Sequence, residues 1–370
     1  MIAGCVPAAI ARQHEAPSPA APVQAAAATP RPTPIVARSP VPNLAQLVGQ
    51  RLVVAMDGTT TPSAALLGRI RRGEVGGVIL FGRNVTTAGA LQALTAKLQA
   101  AAKGGGQPRL LIAVDQEGGS IKRIAWAPPT LSPPQMGADG RTTTARSQGA
   151  ATGQALKGLG INVDLAPVAD VPASTSSFLY KQGRTFSFNA DTTAALATAF
   201  AEGLASQHVQ PTMKHFPGLG FATANTDTSV VTLSASKTAL APGLKPYEQA
   251  IPAGRSIVML SNATYTAYDA GNAAGWSSAI VNGLLRNQLG FGGVTMTDSL
   301  DGTAHARGVA TASLALRAAH AGADLILLTG SEASSSVVFT ALYDAAKAGT
   351  LSRSALRTSY DRIEALKTGL

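Results

Sequence analysis

The chain has a single cysteine in 370 residues, Cys5, so it can form no internal disulfide and no Cys-rich metal site. Charged residues are scarce, at 14%, and aromatic residues scarcer, at 5%. No apolar run reaches the roughly 20 residues that a membrane-spanning helix needs. No G-x-G-x-x-G or Walker phosphate loop follows an early strand-like run, which argues against a doubly wound nucleotide-binding sheet. Acidic residues are in deficit: 20 Asp and Glu against 30 Lys and Arg leave a formal charge of +10. The excess is dispersed, with no Lys/Arg-rich run, so nucleic acid is not an expected partner. It suits an anionic cell wall, or reflects only a composition rich in Ala and Arg.

What is present begins with the N-terminus. Ile2-Ala3-Gly4-Cys5 resembles the end of a bacterial lipoprotein signal, in which the Cys becomes the acylated first mature residue, although no apolar stretch precedes it. Residues 6 to 42 are mostly Ala, Pro, Ser, Thr and Gln, with few core-forming residues, a composition expected of a disordered spacer. Residues 1–42 are therefore set apart from a folded domain over 43–370. Cys5 is the candidate lipidation site, with the outer face of the cytoplasmic membrane, or secretion, as the expected location.

From Asn43 onward, short apolar runs alternate with longer helical patterns. The runs are Leu52–Asp57, Gly77–Phe81, Leu110–Asp115, Ile161–Ala166, Val209–His215, Ser256–Asn262, Gly293–Asp298 and Ala323–Thr329. Between them lie Ala-rich stretches with helical periodicity, among them Ala88–Ala102, Thr142–Leu159, Thr192–Gln207 and Thr311–Ala321. Strand–helix alternation implies a parallel sheet, and near-continuous apolar strands imply one buried on both faces. Eight such units predict an α/β fold, a single (β/α)₈ TIM barrel.

Chemistry on such a barrel lies at the C-terminal ends of the strands. Those ends carry Asp57, Arg83-Asn84, Asp115, Asp164, Lys214-His215, Asn262, Asp298 and Thr329. Unpaired burial of such groups costs several kcal/mol, so they are expected to face a cleft. Any one of them could equally be a structural ion pair or a loop cap. Paired carboxylates beside Lys, His and Arg suit glycoside hydrolysis, whose cationic transition state a carboxylate can stabilise or trap.

Five segments then carry a resemblance. Val114-Asp115-Gln116-Glu117-Gly118-Gly119-Ser120-Ile121-Lys122-Arg123 is similar to the "DQEGGRVxR" segment of glycoside hydrolase family 3. Ala166-Pro167-Val168-Ala169-Asp170-Val171 resembles its "APVxDV" strand end, and Gly183-Arg184-Thr185-Phe186 its "R-S-F" loop. Lys214-His215-Phe216-Pro217-Gly218 matches its "KHFPG" segment, and Thr297-Asp298 its nucleophile strand. The segments keep the family's order, and the chain resembles the family's single-barrel β-N-acetylglucosaminidases.

The resemblance implies a retaining exo-glycosidase on terminal β-linked N-acetylglucosamine-type sugars of cell-wall glycans. It makes Asp298 the nucleophile and assigns Asp115, Arg123, Arg184, Lys214 and His215 to sugar binding. It implies a carbohydrate substrate, a monomer, and neither cofactor nor metal.

One departure stands out. In that branch the KHFPG segment is followed by "HG", four residues, then "D-S-H", whose last His is the general acid/base on a mobile loop. Here the continuation is Leu219-Gly220-Phe221-Ala222-Thr223-Ala224-Asn225-Thr226-Asp227-Thr228-Ser229, without either His. The loop is two residues longer than in that branch; matched on the Asp of "D-S-H", Asp227 remains and Ser229 stands where the acid/base His would be. Asp227 becomes the first candidate for general acid, as the only acid in the loop from Leu219 to Val230, with His305 and Glu117 as alternatives. A non-catalytic carbohydrate-binding lipoprotein and a glycoside phosphorylase remain as other readings.

Overall fold

A computed structural model describes residues 1–5, 41–253 and 257–370. Met1–Cys5 have no regular secondary structure, and the thiol of Cys5 is free and exposed. The disordered spacer expected over residues 6–42 falls almost wholly outside the described residues.

All eight expected strands form: β1 (Leu52–Ala55), β2 (Gly77–Leu80), β3 (Leu111–Val114), β4 (Val163–Asp164), β5 (Gln210–Phe216), β6 (Ile257–Leu260), β7 (Thr295–Thr297) and β8 (Ile326–Leu328). Each pairs in parallel with its sequence neighbour from β1 to β7, and β8 pairs with β1, Leu52 opposite Ile326. The ring closes between β7 and β8 through a bridge from Met296 to Leu325. The fold is a (β/α)₈ barrel.

Side chains alternate across each strand with period two. Val53, Ala55, Ile79, Leu111, Ala113, Val163, Leu165, Ile257, Met259, Met296 and Leu327 share one cluster, the barrel interior. Their neighbours Leu52, Val54, Leu80, Ile112, Val114, Val258, Leu260 and Leu328 belong to the larger cluster between strands and helices. Ile363 of the C-terminal helix Arg353–Thr368 joins the interior cluster, with Leu366 and Leu370 packed against it, so this helix seals the barrel's lower end.

The long helices lie close to where their periodicity places them, at Ala88–Gly104, Thr142–Gly158, Ala190–Ser206 and Thr311–Ala321. Thr87 and Asn189 cap the first and third of these through their side chains. The second and third pack backbone to backbone: a Cβ at Gly149 would meet the Phe200 carbonyl oxygen at 2.1 Å, and one at Gly203 that of Arg146 at 2.3 Å. Two small additions were not foreseen. An antiparallel hairpin pairs Gln116–Gly118 with Ile121–Lys122, and a three-stranded sheet joins Thr232–Leu233, Thr264–Tyr265 and Asp269–Ala273.

Candidate active site

A cavity of about 290 Å³ opens at the C-terminal ends of the strands, lined in part by Phe81, Ile121, Phe178 and Gln182. Ile79, Leu165, Met259 and Leu327 line it as well, one each from β2, the end of β4, β6 and β8. Together they make one layer of the barrel interior, built from alternate strands, and that layer is the cavity floor. The volume is at the small end for ligand sites, which suits one sugar ring rather than a chain.

Asp115, Arg123, Arg184, Lys214, His215, Asp227 and Asp298 all line this cavity. Strand parity brings some of them there. Leu111 and Ala113 face the interior, and Asp115 is the next residue of the same parity. Asp298 likewise continues Val294 and Met296. Asp164 breaks the pattern because it sits between the inward-facing Val163 and Leu165. It is fully buried away from the cavity, accepting the Gln116 N–H at 3.0 Å. Burial pushes its carboxyl up to about 8.

A dense ion cluster occupies one wall. Arg184 donates Nε–H and Nη2–H to the two oxygens of Glu117 at 2.8 and 2.7 Å. The Lys214 ammonium lies 2.7 Å from Glu117 and 2.9 Å from Asp115, and Arg123 lies 3.5 Å from the other Asp115 oxygen. Burial alone would raise the Glu117 carboxyl, but Arg184 and Lys214 overcome it and hold the group at about 2. For Lys214, burial pulls the other way, yet Asp115 and Glu117 keep its pKa above the ordinary lysine value. Glu117 is therefore an ionised partner of the two cations and carries no proton to give, which removes it as an alternative acid.

His215 is held from behind. Asp170, fully buried, has one oxygen 2.7 Å from Nδ1 and accepts the His215 N–H at 3.1 Å; its other oxygen accepts the Leu219 N–H. A carboxylate accepts only, so Nδ1–H is the donor of that bond and the ring is held in one orientation.

The two remaining carboxylates are set differently. Asp298 is half-buried; its N–H donates to the Leu260 carbonyl and its Oδ1 accepts the Ser299 N–H at 2.8 Å. Asp227 has one carboxyl oxygen buried without a hydrogen-bond partner. Burial, then the charge of Asp298, raises its carboxyl from 3.8 to about 7. One carboxylate tied by a backbone amide beside another pushed toward neutrality is the arrangement that separates a nucleophile from a proton donor.

Other strand-end groups serve the scaffold. Asn84 donates to the carbonyls of Gly58 and Thr59, Asn262 donates to the Ser299 carbonyl and to Thr303 Oγ1, and Asp57 accepts the Glu332 N–H. Arg83 donates to the Met56 carbonyl. Thr329 does reach the cavity, bonded to Ser299. His305 is exposed and does not line the cavity, and neither does Ser229. Among the described residues, no group of three or more His, Cys, Asp or Glu could hold a metal ion.

Comparison with known proteins agrees with this geometry. Residues 43–366 match the profile described as the glycosyl hydrolase family 3 N-terminal domain. An uncharacterized secreted glycosyl hydrolase of Arthroderma benhamiae is 34% identical, over 89% of this chain and 94% of its own length. A family 3 β-N-acetylglucosaminidase structure from Paenibacillus superposes with a TM-score of 0.84 at 30% identity, covering 89% of this chain. This chain spans 63% of that one, less than two thirds. A β-N-acetylhexosaminidase structure from Beutenbergia cavernae gives a TM-score of 0.81 at 31% identity, covering 89% of this chain and 99% of the other. The chain belongs to glycoside hydrolase family 3 and is a glycoside hydrolase.

Proposed function

We propose that this family 3 hydrolase is a retaining exo-glycosidase that removes terminal β-linked N-acetylglucosamine-type sugars, with Asp298 as nucleophile and Asp227 as acid/base. In the first step Asp227 gives its proton to the glycosidic oxygen while Asp298 attacks the anomeric carbon. The C–O bond breaks, the alcohol leaves, and a glycosyl ester remains on Asp298. In the second step the ionised Asp227 takes a proton from water, and the resulting hydroxide displaces Asp298 from the sugar. Asp115, Arg123, Arg184, Lys214 and His215 bind the hydroxyls of that sugar. The observation carrying the reading is the pairing in one cavity of Asp298 with a carboxyl raised to about 7. The amino-sugar preference rests on the named activities of the β-N-acetylglucosaminidase and β-N-acetylhexosaminidase structures.

The test is a panel of chromogenic β-glycosides on wild type and Asp298→Ala, with and without phosphate. Turnover of the N-acetylglucosaminide alone, lost by about three orders of magnitude or more in the variant, supports the reading, because the group is covalent in the pathway. Turnover that requires phosphate would make the enzyme a phosphorylase, and labelling of another residue by a 2-fluoro sugar would displace Asp298.

We read the natural substrate as a cell-wall glycan or its fragments, met in the envelope or outside the cell. The net charge of +10, the exposed Cys5 and a relative described as secreted support this reading. Acylation of Cys5 would anchor the protein, and partition of full-length protein into detergent tests it.

A further inference from the structure

The general acid of the proposed reaction sits on a loop, Leu219 to Val230, that contributes no strand and no helix of its own up to Asp227. Something outside the loop has to fix its carboxyl. The helix that immediately follows the nucleophile, Leu300–Ala306, meets the loop at two consecutive residues.

The first is Gly302. A Cβ built there would lie 2.7 Å from the Asp227 carbonyl oxygen, 3.1 Å from the Asp227 Cβ and 3.3 Å from its Cα. The nearest of these contacts is to backbone, so a side chain cannot be accepted by turning a flexible group aside; the loop itself has to move. The second is Thr303. Its hydroxyl shares one proton between the Thr226 carbonyl of the loop and the Ser299 carbonyl one turn back, each at 3.2 Å, and accepts from Asn262 Nδ2 at 2.9 Å; the same Asn262 amide nitrogen donates to the Ser299 carbonyl at 2.7 Å. Thr303 and Asn262 are both buried. The helix is anchored on its far side as well: the Asp301 carboxylate accepts the Thr329 N–H at 2.7 Å, and Ser299 Oγ bonds Thr329 Oγ1.

We infer that Gly302 and Thr303 are positioning residues that seat the Asp227 loop on the helix that follows the nucleophile, so that Asp227 and Asp298 are held in one rigid unit. The inference rests on reading Asp227 as the acid. Neither residue lines the cavity. Gly302 acts by leaving room for the loop backbone, and Thr303 by bonding it.

Two substitutions probe the seat from different sides. Gly302→Ala fills the space, and Thr303→Val keeps the volume but removes the hydroxyl. Gly89→Ala, at an exposed helical glycine with no atom within 4 Å of the added Cβ, is the control for a glycine substitution as such. A loop shifted by about 1 Å is expected to cost about 100-fold in kcat on an N-acetylglucosaminide with a poor leaving group. The loss on an activated aryl leaving group, which needs little protonation, is expected to be far smaller. Azide is expected to restore turnover of the activated substrate in part, and the fall of kcat/KM with rising pH is expected to move.

Thermal melting checks that each variant is folded. If Gly302→Ala does not fold, Thr303→Val carries the test alone. Asp227→Ala is measured beside them. Leaving-group discrimination in Asp227→Ala but in neither seat variant would overturn the inference and leave the acid assignment standing. No discrimination in Asp227→Ala would overturn the acid assignment itself. Equal losses on both substrates in the seat variants would make Gly302 and Thr303 structural only.

Discussion

Asp170 Oδ2 lies 2.7 Å from His215 Nδ1, and the same carboxylate accepts the backbone N–H groups of His215 and Leu219. One fully buried carboxyl group thus fixes both the ring of a cavity residue and the turn leading into the Asp227 loop.

Asp170→Asn keeps the shape and removes the charge. Its amide can no longer accept from Nδ1–H and both backbone amides together. We expect kcat/KM on an aryl N-acetylglucosaminide to fall by about 100-fold, as for a displacement of about 1 Å in a positioned group. Wild-type kinetics in this variant would show that His215 needs no such support.

The raised Asp227 carboxyl predicts a pH signature of definite sign. A general acid must start protonated, so kcat/KM is expected to decline as pH rises through about 7. Stability follows the same group. Its folded pKa lies above the ordinary 3.8, so folding is favoured most below that value, and the contribution is lost as pH rises toward 7. Asp227→Asn is therefore expected to be inactive on poor leaving groups, yet to melt higher than wild type at pH 8 and about equally at pH 4. A variant less stable than wild type at pH 8 would contradict the assigned shift.

Glu117 predicts the opposite dependence. Its folded carboxyl is held at about 2, below the ordinary 4.5, so its contribution is full above 4.5 and fades as pH falls toward 2. Glu117→Gln leaves Arg184 without its bidentate partner and Lys214 with Asp115 alone. A loss of about 3 kcal/mol at pH 7 is expected, the scale for breaking a buried ion pair by removing one member. The gap from wild type should narrow as the pH of a denaturant titration is lowered toward 3. A constant gap would place the Glu117 effect in packing rather than charge.

The barrel was legible because strand and helix carry different periods. The eight runs and the four long helices named from the sequence all form, with boundaries displaced by a few residues. Asp115 and Asp298 were legible as strand-end groups within quoted motifs; that each lies two positions beyond an inward-facing apolar residue is why both reach the cavity. The same rule, applied with the register known, turns Asp164 away from the cavity, and a strand of only two residues offered no pattern from which to read that register.

What stayed hidden depends on partners far along the chain. Glu117 is one residue from Gln116 and two from Asp115, but its role is set by Arg184, 67 residues away. Asp170 lay inside a quoted motif without a role because the ring it orients is 45 residues on. The hairpin Gln116–Lys122 and the three-stranded sheet are built from strands of two to five residues, too short for periodicity to announce. Gly302 looked like any glycine in a helix; only the approach of the Asp227 backbone gives it a purpose.

The floor of four apolar side chains, Ile79, Leu165, Met259 and Leu327, closes the cavity from below. On the proposed exo reading, a glycan would enter such a pocket by its terminus and stop at this floor. Each polymer then offers one cleavable bond at a time, and free monosaccharide is released from the first turnover onward. On a given mass of the proposed cell-wall substrate, the rate is expected to track the number of chain ends. Partner enzymes that cut glycans internally would therefore multiply this enzyme's substrate without changing its chemistry.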